Sequence, residues 1–549
     1  MNIKTVVGTA MLLVLFISPA VAADDGTQNG QDGWTESIVA ALAGPAQQAT
    51  HISLGEAVAA AVRYNPGMQA AGRDPQVARH GILEALSAFD PTISVDVGLD
   101  EQKVPTHNSL SGSELLEKNN RWGNLVVSKL MRSGANLDLS WSNERNSTNS
   151  RFQGLVPQYS PSLEVGLEQP LLRDFGASQA STTVRLARNA TLQAAAGFES
   201  RLATFVAAVV EAYWGYVGAE AEVRVKRRSL NLAHELVKMA EAKVKVGLLA
   251  PVVIREARAE AASRDEELIS SEHRLELAAR TLQYTVMMGA EGGRAPARLV
   301  PSDTHTARVV TVGRATSIRT AIGRRAELKT ARLVIENAKL AKKQAANQLL
   351  PSLNMVGNYT LVGLGGKAIP LTSITGGPDQ ISGFGGSYAD ALDLMADGTY
   401  YRYTLGLKLE VPLSNAAARA RLARAEVKLA QARELLGQAL SDVALEVESA
   451  VGRIASANKR VVAARLAREL AEENLTNQKR RFEVGMVTTT DVLDFQEKSA
   501  RARAAEATAI TDHAVALAAL ALAEGTLLEA YSINVEIEDA PGRPWWSRF

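Results

Sequence analysis

Leu422, Ala425, Leu429, Ala432, Leu436, Ala439 and Val443 step by three and four residues without a break. That 3.5-residue spacing is a coiled-coil seam, and the small alanines let two helix axes approach closely. The seam lies in a predicted long helix over about 416–483, with a return helix from Thr490 to Leu528. A second rod is predicted from Ala177 to Val246, roughly 105 Å long at 1.5 Å per residue, and its return helix covers Ala257–Met288. Elsewhere the period falls to two. Ile93, Val95 and Val97 alternate with polar residues, as do Leu163, Val165 and Leu167, and Tyr403, Leu405, Leu407 and Leu409. Half-buried strands have that period. Further strands are predicted at 122–130, 135–142 and 353–361, with a turn at Ser133-Gly134.

The same order occurs twice. Phe89-Asp90-Pro91 and Leu349-Leu350-Pro351 each end a helical run, and Gln169-Pro170-Leu171-Leu172 and Val411-Pro412-Leu413 each precede a long rod. Val246-Gly247-Leu248 and Val484-Gly485-Met486 each sit between a rod and its return. Three landmarks in one order mark a duplicated unit. The predicted organisation is a leader at 1–22, a polar lead-in at 23–50, a first repeat at 51–290, a connector at 291–316, a second repeat at 317–528 and a tail at 529–549.

Met1-Asn2-Ile3-Lys4, an apolar run to Ile17 and Ala20-Val21-Ala22 read as a cleaved secretion leader. The chain has no cysteine, which excludes lipid attachment, disulfides and thiol chemistry. Past the leader no run of eighteen apolar residues occurs, so no transmembrane helix is expected. A net charge of +1 gives no bulk field for nucleic acid. The scattered histidines lack ligand spacing, and Gly363-Leu364-Gly365-Gly366-Lys367 lacks the spacing of a phosphate-binding loop. No catalytic residue, cofactor or metal site is expected. Open sheet edges are not tolerated in lipid, so the strands either form a small soluble sheet or pool with other copies into one barrel.

Taken together, Leu54-Gly55-Glu56-Ala57 with Asn65-Pro66, Phe89-Asp90-Pro91, Gln169-Pro170-Leu171-Leu172, the two Val-Gly turns and Asp491-Val492-Leu493 resemble the TolC-like outer-membrane efflux proteins. The resemblance runs from about Ile52 to Leu528. It implies an α+β membrane protein acting as a homotrimer, with an α-helical tunnel in the periplasm and a shared twelve-stranded barrel in outer-membrane lipid. It also implies a periplasmic adaptor (membrane fusion) protein as partner and, indirectly, an inner-membrane pump. The implied role is the exit duct of a tripartite efflux or type I secretion system. A periplasmic adaptor or coiled-coil tether is the alternative. One departure is plain: the first repeat holds four strand candidates where the family needs two, so 120–145 is either an extra hairpin at the rim or not strand at all.

Asp491 and Asp494 share one face of the return helix. Their residue types leave two roles open: a cap at the positive helix end, or, as the resemblance implies, rings of carboxylates at the periplasmic constriction that attract cations. The resemblance also places Val252, Val253, Phe482 and Val487 where some members carry polar links; here all four are apolar, so apolar packing is expected to close the pore. Val246, Gly247, Leu248, Val484, Gly485 and Met486 form the tips that, by the resemblance, dock the adaptor.

Overall fold

The computed structural model describes residues 49–106, 114–150, 152–247, 250–287, 297–304, 306–370, 381–484 and 486–535. The predicted leader, nearly all of the lead-in, Leu248, Gly485, Met288 and the tail beyond 535 lie outside these residues.

Strand β1 (Thr50–Ile52) leads into α1 (Leu54–Tyr64), which opens on a reciprocal Ser53–Glu56 capping box. Asn65 ends α1 and caps α2 (Pro66–Ala71), with Pro66 in the first turn, where no amide partner is needed. Helix α3 (Asp74–Ser87) delivers the chain to four long strands: β2 (Thr92–Pro105), β3 (Leu115–Leu130), β4 (Asn136–Thr148) and β5 (Leu155–Pro170). Short α4 (Ala177–Ala180) precedes the first rod, α5 (Thr182–Lys245), and its return, α6 (Val252–Val286). The connector adds β6 (Leu299–Pro301), which pairs parallel with β1.

The second repeat begins with α7 (Arg314–Arg324) and α8 (Ala326–Asn347). The helical run that ends at Leu349 is not continuous: the backbone extends at Arg325 (φ −59°, ψ 127°), the counterpart of the Asn65 pause. No proline forces this break. The half-buried Arg325 guanidinium instead reaches Glu327, Glu446 and the carbonyls of Leu522 and Ala523. Strands β7 (Ser352–Val362), β8 (Gly365–Ala368) and β9 (Tyr401–Glu410) follow, with α9 (Tyr388–Ala396) between the last two. Strand β8 and the start of α9 give the Gly/Ser-rich stretch 363–388 regular structure toward both ends. The second rod is α10 (Ala416–Glu483), its return α11 (Thr489–Glu524), and short α12 (Leu527–Ala530) follows.

The long strands join in one antiparallel sheet of order β2-β3-β4-β5-β7-β9, with β8 pairing β5 off this path. Residues 120–145 are therefore neither rim nor loop. They belong to the hairpin β3–β4, which turns at the helix end of the sheet, where the Met131 amide bonds the Ala135 carbonyl and Gly134 takes φ 89°. One chain thus supplies six path strands, where a twelve-stranded trimer would take four.

About midway along α5, where α6 ends, Ile52, Val58, Tyr213, Leu282, Leu299 and Leu527 pack one core. The buried Tyr213 hydroxyl bonds Ile52 O and the Asp303 carboxylate at 3.0 Å, and burial pushes its pKa up to about 12. A second core joins α7 and the start of α8 to α10 and α11 through Ala321, Leu328, Val447, Ile454 and Leu520. Segments of α5 and α11 are apolar and long enough to cross a membrane by composition. Their Ala and Val residues instead supply much of the packing between hairpins.

Candidate functional site

Helix α11 begins at Thr488, whose hydroxyl accepts the Asp491 amide while Asp491 Oδ2 accepts from the Thr488 amide (2.8 Å) and hydroxyl (2.6 Å). Those bonds hold the Asp491 carboxyl below its ordinary range. Within the chain, then, Asp491 is a helix cap. One turn on, Asp494 pairs with Lys498 at 2.6 Å. Both carboxylates lie on the exposed face of α11, opposite the buried Val492, Leu493 and Gln496.

The four apolar residues expected to meet at the tip divide. Buried Phe482 and half-buried Val487 join Leu236, Val492 and Leu493 in one cluster between the two hairpins. Each such side chain contributes about 1.5–3 kcal/mol by leaving water. Val252 is 54% exposed, and neither it nor Val253 belongs to that cluster. The sequence reading missed Leu236, Val492 and Leu493, although the periodic apolar positions of α11 contain two of them.

It also missed two cations. Lys243 donates to the Phe482 carbonyl (3.0 Å) and stands 3.9 Å from the Phe482 ring centre, a cation–π contact across the hairpins. Arg264, only 3% exposed, sits farther from the tip, beside Ser229 of α5. Its Nε bonds Glu260 at 2.8 Å, Nη1 bonds Ser229 Oγ at 2.9 Å, and Nη2 bonds the Leu493 carbonyl at 3.2 Å. A buried guanidinium with three acceptors is well compensated, and here it ties α11 to α5 and α6. Toward the tip, the two hairpins are therefore joined by apolar packing plus two cation-to-carbonyl ties.

At the tip surface, Val246, Val484 and Met486 are 68–71% exposed. Gly247 takes φ 78°, a conformation glycine adopts without strain, so the chain can reverse beyond α5.

The sheet has two unlike faces. Odd-numbered positions put Ile93, Val95, Val97 and Leu99 of β2 in line with Leu125 and Val127 of β3 and with Leu137, Leu139 and Trp141 of β4. The line continues through Leu163, Val165 and Leu167, then Tyr359, Leu361 and Tyr401–Leu409. Even positions carry Asp96, Asp138, Glu164, Glu168, Thr404 and Lys408, and bond across strands as Ser128–Asp138, Asn354–Glu168 and Thr360–Glu164. On β9 the apolar face is bare: Leu405 is 75% exposed. Helix α9 lies on the same apolar face, closing with Leu392 and Met395 a cavity over Leu125, Val127, Leu139, Trp141 and Leu163. Glycine permits this seat: a Cβ on Gly363 would fall 2.1 Å from the Ala391 carbonyl oxygen.

Residues 129–286 and 317–526 match the family model described as outer membrane efflux protein, one block in each repeat. No curated protein sequence matches the chain. Among solved structures, the outer-membrane channel OprN aligns at 15% identity over 86% of this chain and 90% of its own, with a TM-score of 0.59. CusC aligns at 15% over 88% and 97%, TM-score 0.60. The outer membrane protein VceC of Vibrio cholerae aligns at 17% over 86% and 96%, TM-score 0.58. These likenesses concern the fold. The family pattern spans most of the chain in two blocks that follow its duplication, and the chain belongs to the outer membrane efflux protein family, the TolC-like channels.

Proposed function

We propose that the chain is the outer-membrane exit duct of a tripartite efflux or type I secretion system, a homotrimer fed by an inner-membrane pump through a periplasmic adaptor. The observation that carries this is a sheet apolar on one face, polar on the other and open at both edges, β2 and β9, attached to two long helical hairpins. From Tyr401 to Leu409 the apolar face of β9 rises about 20 Å along the membrane normal at 3.3 Å per residue and ~40° tilt. That is close to a bilayer core once the flanking side chains are added. Tyr359, Tyr401, Tyr403 and Trp141 gather toward the end away from the helices, as an aromatic girdle does.

Unpaired edges cannot remain in lipid. β9 of one copy runs antiparallel to β2 of the next, so three copies contributing six strands each close a barrel of eighteen strands. Asp491 and Asp494 of α11 then line the constriction, and the exposed Val246, Val484 and Met486 offer the adaptor an apolar landing.

The absence of cysteine makes the test clean. Cysteine at Leu405 on β9, paired in turn with cysteine at Ile93, Val95 or Val97 on β2, gives a covalent trimer ladder in outer-membrane fractions for at least one register. A soluble monomer of full helicity, or a membrane form that cross-links in none of them, refutes the duct.

A further inference from the structure

The β3–β4 hairpin has no counterpart in the second repeat, and it carries two arginines that the duct does not use. Arg121 and Arg145 are directly opposed across β3 and β4, on the odd-numbered face that is apolar nearer the helices. They are the first charges beyond the apolar band: Leu99 neighbours Arg121 on one side and Tyr159 neighbours Arg145 on the other. Like charges in direct cross-strand register repel. Among the described residues neither guanidinium has an ion pair or hydrogen-bonded partner. On that face Glu117 is committed to Lys103 at 3.1 Å, and Glu101 lies diagonally beyond Arg121, opposite Asn119.

The pair borders a surface cavity of about 300 Å³, which is also lined by Asn143, Tyr159 and Tyr388 and by Trp122, Gly123 and Glu144, the last at an even-numbered position opposite Trp122. Tyr388, at the start of α9, donates to Asn143 Oδ1 at 2.6 Å, and its ring packs edge-on to Tyr159 at 5.7 Å. The wall is therefore fixed by contacts that leave the guanidiniums free. Two adjacent, unneutralised guanidiniums match the geometry of a phosphate dianion. Their height matters as much as their charge. They stand where the apolar band gives way to water, at the end of the sheet away from the helices, and an acyl chain from the same ligand could run down the apolar face beside α9.

We infer that Arg121 and Arg145 bind the phosphate of an outer-leaflet glycolipid headgroup, with Tyr388 and Tyr159 as the aromatic wall of the site. The inference rests on the outer-membrane reading above, because only that reading puts lipid against this face. The hairpin that enlarges the sheet thereby also anchors it to its leaflet.

The experiment uses the full-length channel in detergent, titrated with diphosphorylated lipid A, dephosphorylated lipid A or inorganic phosphate and read by native mass spectrometry. Wild type retains diphosphorylated lipid A, and R121Q/R145Q weakens that binding at least tenfold. The Lys103→Gln control, which removes a nearby charge outside the cavity, leaves it unchanged. Equal binding of the dephosphorylated lipid, or undiminished binding by the double variant, overturns the site. Displacement of the lipid by inorganic phosphate at equal concentration overturns the commitment to lipid. Planar-bilayer conductance of the same preparations separates the two claims: a double variant that conducts normally but has lost the lipid is as expected, whereas a wild type that forms no pore fells the outer-membrane reading itself.

Discussion

Replacing Arg264 by Met removes a buried polar tie between α11 and the first hairpin while keeping an unbranched side chain. Three bonds are lost. The one to Glu260 lies within α6, so only the Ser229 and Leu493 bonds hold separate helices together. A hydrogen bond from a charged donor contributes about 1.5–3 kcal/mol net, and methionine recovers part of this by apolar burial. The Leu493 bond alone spans the two hairpins, so the closed tip should lose about 2 kcal/mol per chain, roughly a thirtyfold shift toward opening at 1.4 kcal/mol per decade. The partnerless buried Oε1 of Gln496 and Oγ1 of Thr489 act in the same direction, because water entering an opened tip would satisfy both. The assay is single-channel conductance of the Arg264→Met channel in planar bilayers, with thermal melting of the same sample. Larger or more frequent openings with a melting temperature within a few degrees of wild type are expected. Unchanged conductance alongside a marked loss of melting temperature would mean that Arg264 serves folding and not closure.

Asp491→Asn with Asp494→Asn retains the α11 cap in weaker form but removes the charge, so cation selectivity and block by multivalent cations from the periplasmic side should both fall; unaltered block would leave these carboxylates as caps alone. Gly247→Ala has open space for its Cβ but must hold φ 78°, which costs about 1–2 kcal/mol locally; export and adaptor pull-down should drop while trimer yield on native gels holds. His513, buried against Asn458, has its pKa lowered from 6.5 by desolvation. Below pH 6.5 the unfolded chain takes up a proton that the folded chain refuses, so stability falls as pH drops through that window, by at most about 1.4 kcal/mol per pH unit. Thermal melts at pH 7.5 and 5.5 should show this slope, and His513→Gln should flatten it.

Long periodic elements were legible in the sequence, and short or long-range features were not. The α10 seam and the alternation of β2 and β9 each repeat one signal many times, so they survive local noise. The outer halves of β2 and β3 were under-read because Glu101, Lys103, Asn119 and Arg121 stand where Leu or Val would keep the alternation. Helix α9 carried its own signal, a Ser387–Asp390 capping box before Tyr388, Ala391, Leu392 and Met395, but it is nine residues long inside a Gly/Ser-rich stretch. The break at Arg325 and the Arg264 tie were out of reach for another reason: their partners, Leu522 and Leu493, lie 197 and 229 residues away. Spacing within one helix cannot pair Val252 with Phe482 or separate them; only the packing of two hairpins decides that.

The asymmetry between the repeats is tightly constrained. One inserted strand would deliver α5 to the wrong side of the membrane, so strands can be added only in pairs, and β3–β4 returns the chain to the side it left. The helices admit no such addition, because each long rod already spends its apolar faces on its neighbours. Eighteen strands spaced about 4.8 Å apart and tilted ~40° give a circumference of about 113 Å, against about 75 Å for twelve. A ring built from α3, α5, α8 and α10 of three copies, the helices beside the sheet, with axes about 9 Å apart, measures about 108 Å around. The larger barrel therefore meets the helical ring with little change of bore, where twelve strands would form a neck at the membrane. With no neck there, the proposed duct would meet its main resistance at the opposite end, at the carboxylates of α11 and the apolar cluster beside Arg264 and Lys243.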